Sequence, residues 1–392
     1  MRFGNQKGAR ALVVARPGVD VRAAVMRGRQ DGKGPVVVRP SRTGCRLVFW
    51  VSRDGVLTVP RWKGVIGSDS TRIDGLVAAA DVADAVGGSD VLRPGDDADV
   101  PKLRARLERT HDKRFAARLT LVAILLGLAL VAPRRALVAG PAAIGAALLL
   151  SALGWTSVVA FAALTLLGSL APVRALWLFF GAFLVVLALS PETQALALLG
   201  PHPENGGRFY GVTNELETLL LAPALLLGLA AAPLAIVVVA WSRAGADGGG
   251  ALVFLSSYAW LAAGRVTSNR LLLGIGAAAG IVAAGLVLVG IDAATGGSSH
   301  VTRTIGGGPG AVWDALTHRW SSSWDDATAT PARTALNVAL LAGLAWLATL
   351  TPRRRLLDAF LVGIAVSLVV NDTPHDVLLW GSLQALALRR AG

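Results

Sequence analysis

The run "LTLVAILLGLALVAP", residues 119–133, carries no charge, and it follows directly on the charged segment "DVPKLRARLERTHDKRFAAR", residues 99–118. A helix needs about 20 mostly apolar residues to cross a hydrocarbon core about 30 Å thick. The first run therefore predicts a membrane span, and the second a charged helix leading into it. Similar runs recur at residues 175–190 ("ALWLFFGAFLVVLALS"), 271–290 ("LLLGIGAAAGIVAAGLVLVG") and 360–370 ("FLVGIAVSLVV"). With 54% hydrophobic and 16% charged residues over 392 positions and a mean hydropathy of +0.57, the chain carries more apolar surface than a soluble domain hides.

The expected fold class is an all-α polytopic membrane bundle of about 10–11 transmembrane helices with a small N-terminal α/β soluble region. Two domains are expected, residues 1–112 and 113–392. The first contains short strand-like runs ("ALVVA", "GPVVVRP", "RLVFWVS", "GVLTV") and a helical spacing in "IDGLVAAADVADAVG". The start has basic character but lacks the apolar stretch of a signal peptide. Either this region stays in the cytoplasm or the chain begins inside a longer ancestral protein.

In the second domain spans are expected near residues 115–132, 136–154, 156–171, 175–190, 214–229, 231–242, 249–264, 271–291, 334–350, 356–370 and 376–388. The segment 214–241 reads either as two short helices hinged at "AAAP" or as one long helix. Two helices place Arg134, Arg135, Arg174, Arg265, Arg270, the arginines at 353–355, Arg389 and Arg390 on one face. That face is then cytoplasmic, with the N-terminal region outside and the C-terminus inside. The basic segment 102–118 conflicts with this arrangement and fits the single long helix, but long N-terminal domains obey the charge rule poorly. The net charge of +13 is accounted for by these loops, so no nucleic-acid partner is expected. The single cysteine, Cys45, excludes an intramolecular disulfide and a cysteine-cluster metal site.

Four polar stretches are candidates for chemistry. In "GRFYGVTNELETLLLAP", Asn214 with Glu217 has the form of a helix N-cap with a reciprocal carboxylate, and Glu215 suits the first turn. Arg208 and Tyr210, just before that helix, suit an anionic headgroup, although the glutamates oppose an anion and could instead pair with Arg208. In "SSHVTR", His300 is a candidate base and Arg303 a candidate clamp for an acidic group. His318, in "ALTHRWSSSWDD", fits an interfacial helix anchored by tryptophans. In "NDTPHD", Asp372, His375 and Asp376 read first as a polar turn; a metal site or a proton-relay or base role for Asp372 are the alternatives. In "GADGGG", Asp247 stands where a glycine-rich segment begins a helix and permits close backbone approach. No metal and no cofactor are expected.

The ordered elements "GGRFYGVTNE", "GADGGG", "SSHVTRTI" and "VVNDT" resemble those of an uncharacterised family of bacterial polytopic membrane proteins, over roughly residues 115–388. The stretch "GVIGSDSTRIDGLVAAADVADAVGG" resembles the closing segment of alkaline-phosphatase-superfamily domains. Ser70, Thr71, Arg72 and Gly75 keep part of that pattern, while the superfamily's metal-binding clusters are missing. That resemblance implies a shortened, catalytically empty remnant and an outward-facing N-terminal region. The stretch "GRFYGVTNELETLLLAPALL" is similar to the helix that opens the site of O-antigen ligases and polymerases, which act on lipid-diphosphate-linked glycans at the outer face of the plasma membrane.

Together these resemblances imply a multi-pass plasma-membrane protein of the bacterial envelope with membrane lipid around it, and the loop charges place its C-terminus in the cytoplasm. The expected function is that of an outer-face transferase acting on a lipid-linked or anionic envelope precursor. Its candidate substrate-binding residues are Arg208, Tyr210, Asn214, Glu215, Asp247 and Arg303, and its candidate catalytic residues are His300 and Asp372. The alternatives are a transporter or flippase dependent on Glu217 and Asp247, with broken helices near Pro223, Pro233 and Gly248, or a non-catalytic scaffold that serves an envelope-synthesis partner protein. Whether the chain is an enzyme is left open.

Overall fold

The computed structural model describes residues 11–13, 36–38, 46–49, 55–58, 65–66, 72–73, 92–93, 99–201, 210–266, 269, 271–272, 274–275, 310, 317, 320–321, 323–325, 327–352, 354–371 and 373–392. These residues are mostly helical. The chain divides into two compact units, residues 1–113 with 191–210, and residues 114–190 with 211–392.

Among the described residues the first unit has six short strands. β1 (Ala11–Val13) pairs in parallel with β2 (Val36–Val38), with Leu12 opposite Val37. β3 (Arg46–Phe49) pairs antiparallel with β4 (Gly55–Thr58), and β5 (Val65–Ile66) antiparallel with β6 (Leu92–Arg93). Each strand is two to four residues long. The helix expected from "IDGLVAAADVADAVG" falls outside the described residues, so an α/β domain is not established here. Ile73, Leu107, Ala195 and Leu196 form a small apolar cluster of this unit with Leu103 against it, and Thr110 Oγ1 donates to Leu196 O at 3.3 Å.

α1 (Asp99–Val131) joins the charged and apolar segments into one helix. It ends where Pro133 disfavours helical backbone at Ala132, whose φ and ψ are −146° and 65°. Pro133 then opens α2 (Pro133–Ala152), where a missing N–H costs nothing. Gly154, at φ +73°, turns the chain into α3 (Val158–Gly168), capped by Ser157. α4 (Ala175–Leu189) and the short α5 (Pro191–Ala195) follow. Segment 214–241 forms two helical pieces: α6 (Asn214–Leu226), then a 3-10 turn (Leu229–Ala231) running into α7 (Ala232–Ala240). The break lies at Gly228, φ +77°, a few residues before the expected "AAAP" hinge, because glycine accepts that backbone without a Cβ penalty. The remaining described helices are α8 (Gly248–Val266), α9 (Pro331–Thr349), α10 (Arg355–Val370) and α11 (Pro374–Ala391).

α6 is the axis of the second unit. Every residue from Leu216 to Leu225 is buried, the pattern of a helix surrounded on all sides. It packs on α2, α8, α10 and α11. Around it the outer helices turn apolar side chains outward: Leu178 is 78% exposed and Val159 79%, which suits hydrocarbon as solvent. Residues Ala105–Val131, Pro133–Ala152 and Pro331–Thr349 are long and apolar enough to cross a bilayer, while Val158–Gly168, Ala175–Leu189 and Leu229–Ala240 are apolar but shorter. The expected span 271–291 lies almost wholly outside the described residues.

The helix ends of the second unit differ in charge. At one end Arg390 Nη2 donates to Leu130 O at 3.0 Å, Arg389 to Thr351 O at 2.8 Å and Pro352 O at 2.7 Å, and Arg134 Nε to Ala391 O at 3.3 Å. Several of these cations therefore sit on carbonyls at or just beyond helix C-termini, where the partial charge is negative. At the other end gather the N-termini of α6, α8 and α11 and the C-terminus of α10.

Candidate functional site

That second end holds the buried polar residues. Thr213, not Asn214, is the N-cap of α6: its Oγ1 accepts from Leu216 N at 3.3 Å. Asn214 sits one position inside and its Nδ2 donates to Thr373 Oγ1 at 2.8 Å, tying α6 to the start of α11. The expected reciprocal carboxylate cap fails with it. Glu217 turns into the bundle and is 0% exposed. Its Oε2 accepts from Asn371 Nδ2 at 2.7 Å and its Oε1 from Ser367 Oγ at 3.1 Å. Asn371 Nδ2 also reaches Ser367 Oγ at 2.7 Å. Ser367 and Asn371 stand four residues apart on the last turn of α10 and so share a face. Hydrogen bonds to a charged group contribute about 1.5–3 kcal/mol each, which offsets part of the cost of burying this carboxylate.

Asp247 is an electrostatic neighbour of Glu217: a Cβ on Gly249 would meet both Asn371 Oδ1, on Glu217's partner, and Asp247 Oδ1. Its own place is set by α8: Oδ1 accepts from Gly250 N at 3.0 Å, an N-cap bond. Glycines make the approach possible. A Cβ on Gly249 would collide with Asn371 Oδ1, and one on Gly250 would lie 2.6 Å from Asp247 Oδ2. Gly211, at φ +90°, lets Val212 N donate to Gly245 O at 2.9 Å, joining the segment before α6 to the one before α8. Ser323 Oγ donates to Asn371 O at 3.2 Å.

A second cluster lies on the neighbouring face of α6. Glu215 Oε1 is 3.3 Å from Arg118 Nε, and Arg118 Nη2 pairs with Asp376 Oδ1. His375 Nε2 is 3.3 Å from the same Asp376 oxygen, and buried Arg114 is an electrostatic neighbour of Glu215. Glu215 pairs with Arg118, while Arg208, the expected partner of Glu215 or Glu217, lies outside the described residues. The missed signal was position: Arg118 is the last charge before the uncharged run of α1, where an arginine is costly unless paired. Ser367 and Asn371 were also missed, although their spacing at the end of an apolar helix marks a shared polar face.

Of the expected binding residues, Asn214, Glu215 and Asp247 come together at this end of the second unit. Tyr210 belongs to the first unit, where the Arg72 guanidinium carbon lies 3.7 Å from its ring centroid, a cation–π contact. Arg208, His300, Arg303, His318 and Asp372 lie outside the described residues. Among the described residues no group of three or more His, Cys, Asp or Glu side chains has the arrangement of a metal site. The Glu217 cluster nevertheless offers carboxylate, amide and hydroxyl oxygens, the donor chemistry of a hard cation.

Searches of protein-family models, curated proteins and solved structures found no match to this chain.

Proposed function

We propose that this chain is a multi-pass plasma-membrane protein of the bacterial envelope that works as a cation-coupled transporter, with Glu217 and Asp247 holding the coupling ion, proton or metal. One observation carries the reading: two buried carboxyl side chains, Glu217 and Asp247, are electrostatic neighbours in the interior of the bundle, packed about Asn371 and Gly249 where α6 and α8 begin. Carboxylates this close repel unless a proton or cation lies between them, and ionisable groups buried in helical membrane bundles mark ion pathways. The break at Gly228 and the proline inside α6 add the interrupted helices that such sites use. The arginine-rich helix ends support a cytoplasmic C-terminus, with the acidic end and the N-terminal remnant outside.

The cargo class is the lipid-linked or anionic envelope precursor expected from the sequence resemblance, and an envelope-synthesis protein is the partner class. The Glu217 cluster carries excess acid and suits a cation better than an anion, which favours transport over the outer-face transferase reading. The test is ion exchange in proteoliposomes, followed by radioactive sodium and by a trapped pH dye. The wild type is expected to exceed empty vesicles for one of the two ions, and the double variant Glu217→Gln, Asp247→Asn to match empty vesicles. Exchange of neither ion by the wild type, or undiminished exchange by the double variant, overturns the reading.

A further inference from the structure

The arginine end of the second unit gathers like charges with no counter-charge beside them. From residue 119 to 154, from 331 to 357 and from 377 to 392 the sequence holds no Asp or Glu. Those segments supply Arg134, Arg135, Arg354, Arg355, Arg389 and Arg390, and among the described residues none of these pairs with a carboxylate. The nearest acid in sequence, Asp358, lies in the first turn of α10. Cations crowded in this way at a helix end call for an anion from outside the chain.

Two of these arginines are held on one junction. Arg390, near the end of α11, donates through Nη2 to Leu130 O near the end of α1, while Arg134, in the first turn of α2, donates through Nε to Ala391 O. The two bonds run in opposite directions between the turn joining α1 to α2 and the end of α11, so both guanidinium groups stay there despite their repulsion. Each bond uses one of the five donors of its guanidinium. Both residues are exposed, which leaves further N–H groups at the surface in the forked geometry that receives phosphate oxygens. The same turn carries an apolar face. Leu130 is 49% exposed and Val131 81%, and Leu126 and Leu119 continue the exposure along α1. With Ala123, also exposed, Leu119, Leu126 and Leu130 follow one another at three- and four-residue spacings and so form one stripe. At 1.5 Å of rise per residue the stripe is about 16 Å long, close to half of a hydrocarbon core about 30 Å thick. It is therefore one leaflet deep, with the arginines at its headgroup end.

We propose that Arg134 and Arg390 bind the phosphate of an anionic phospholipid in the leaflet at the arginine end, with an acyl chain lying on the stripe at residues 119–130. Charge and shape agree on this occupant. A glycerol-headed phospholipid brings negative charge that nothing in its headgroup offsets. A choline lipid brings the same phosphate together with a cation of its own, which the surrounding arginines repel. A free phosphate would meet the arginines and leave the apolar stripe unused. The inference goes beyond the transporter reading and does not use the carboxyl pair, so loss of ion exchange in vesicles leaves it standing.

Native mass spectrometry of the full chain in detergent, supplied with equal amounts of dioleoyl phosphatidylglycerol and dioleoyl phosphatidylcholine, tests it. The wild type is expected to retain phosphatidylglycerol about tenfold more tightly, the order that two arginines near an anionic headgroup give. The double variant Arg134→Gln, Arg390→Gln is expected to hold the two lipids equally. Arg174→Gln, at the exposed arginine that precedes α4, is expected to keep the preference. Equal retention of both lipids by the wild type overturns the proposal, whether or not the double variant folds. A preference that survives the double variant overturns it as well, and so does one that Arg174→Gln abolishes to the same extent, since the effect would then belong to net charge. Glycerol 3-phosphate in tenfold molar excess over the lipid is expected to leave phosphatidylglycerol bound. Its displacement would assign the arginines to a free phosphate ester and overturn the lipid assignment.

Discussion

Arg118→Ala leaves Glu215 and Asp376, both 13% exposed at the side chain, without their shared cation. Breaking a fully buried pair costs about 3–5 kcal/mol. Because 34% of the Arg118 side chain is exposed, solvent screening brings the expected loss down to about 1–2 kcal/mol. Thermal unfolding in detergent reads it, and the double variant Arg118→Ala, Asp376→Asn is expected to lose less than the sum of the single variants, since the second change removes the charge that the first leaves unpaired. Strict additivity would show that the ion pair contributes nothing. Glu217 behaves differently. Glu217→Gln keeps the shape and the contacts with Asn371 and Ser367, so folding is expected to survive while ion exchange is lost; a variant that exchanges ions normally argues against a coupling role. These side chains were only half legible in the sequence. The polarity of "VTNELE" at the start of an apolar run was plain, but which residue capped and which turned inward depended on the register of α6 against α10 and α11.

Glycines decide how closely the helices meet. A Cβ on Gly249 would collide with Asn371 Oδ1 at the start of α8. Gly249→Ala is therefore expected to cost about 1–3 kcal/mol, as overpacking does. Adding Asn371→Ala should relieve some of that loss, because the collision then has no partner. A double variant that is less stable than the sum of the two would show that the approach of α8 to α10 is not the cause. The hydrophobic runs predicted helices near most of the described positions, and Pro133, Pro331 and Pro374 each mark a helix start that the sequence signals openly. The break between α6 and α7 was less clear. Both "LLGLAAAP" readings satisfied the local pattern, and only the positive φ of Gly228 selects the two-piece form.

The second unit has an acidic end and an arginine end, which makes its orientation testable. In a Cys45→Ser background, a cysteine at His375→Cys is expected to react with a membrane-impermeant maleimide on intact cells, and one at Gly392→Cys only after the cells are opened. The reverse pattern would invert the orientation, and labelling of both from one side would overturn a bundle with opposed ends. The same result bears on the carboxyl pair, since it states which side of the membrane loads it.

Composition and hydropathy by themselves determined that this is a chain of apolar helices suited to a membrane, because burial in hydrocarbon demands long uncharged runs and internally satisfied backbone. They also located the polar segments at helix ends, where turns and caps need such residues. The partners inside the bundle were a matter for tertiary structure alone. Glu217 and Asn371 are 154 residues apart in sequence and 2.7 Å apart in space. Likewise Arg118 finds Asp376 across 258 positions. A hydropathy pattern specifies which face of a helix is apolar, but a helix buried on every side, as α6 is, has no such face to read. Its neighbours are chosen by glycine gaps and by the few hydrogen bonds that satisfy buried charge.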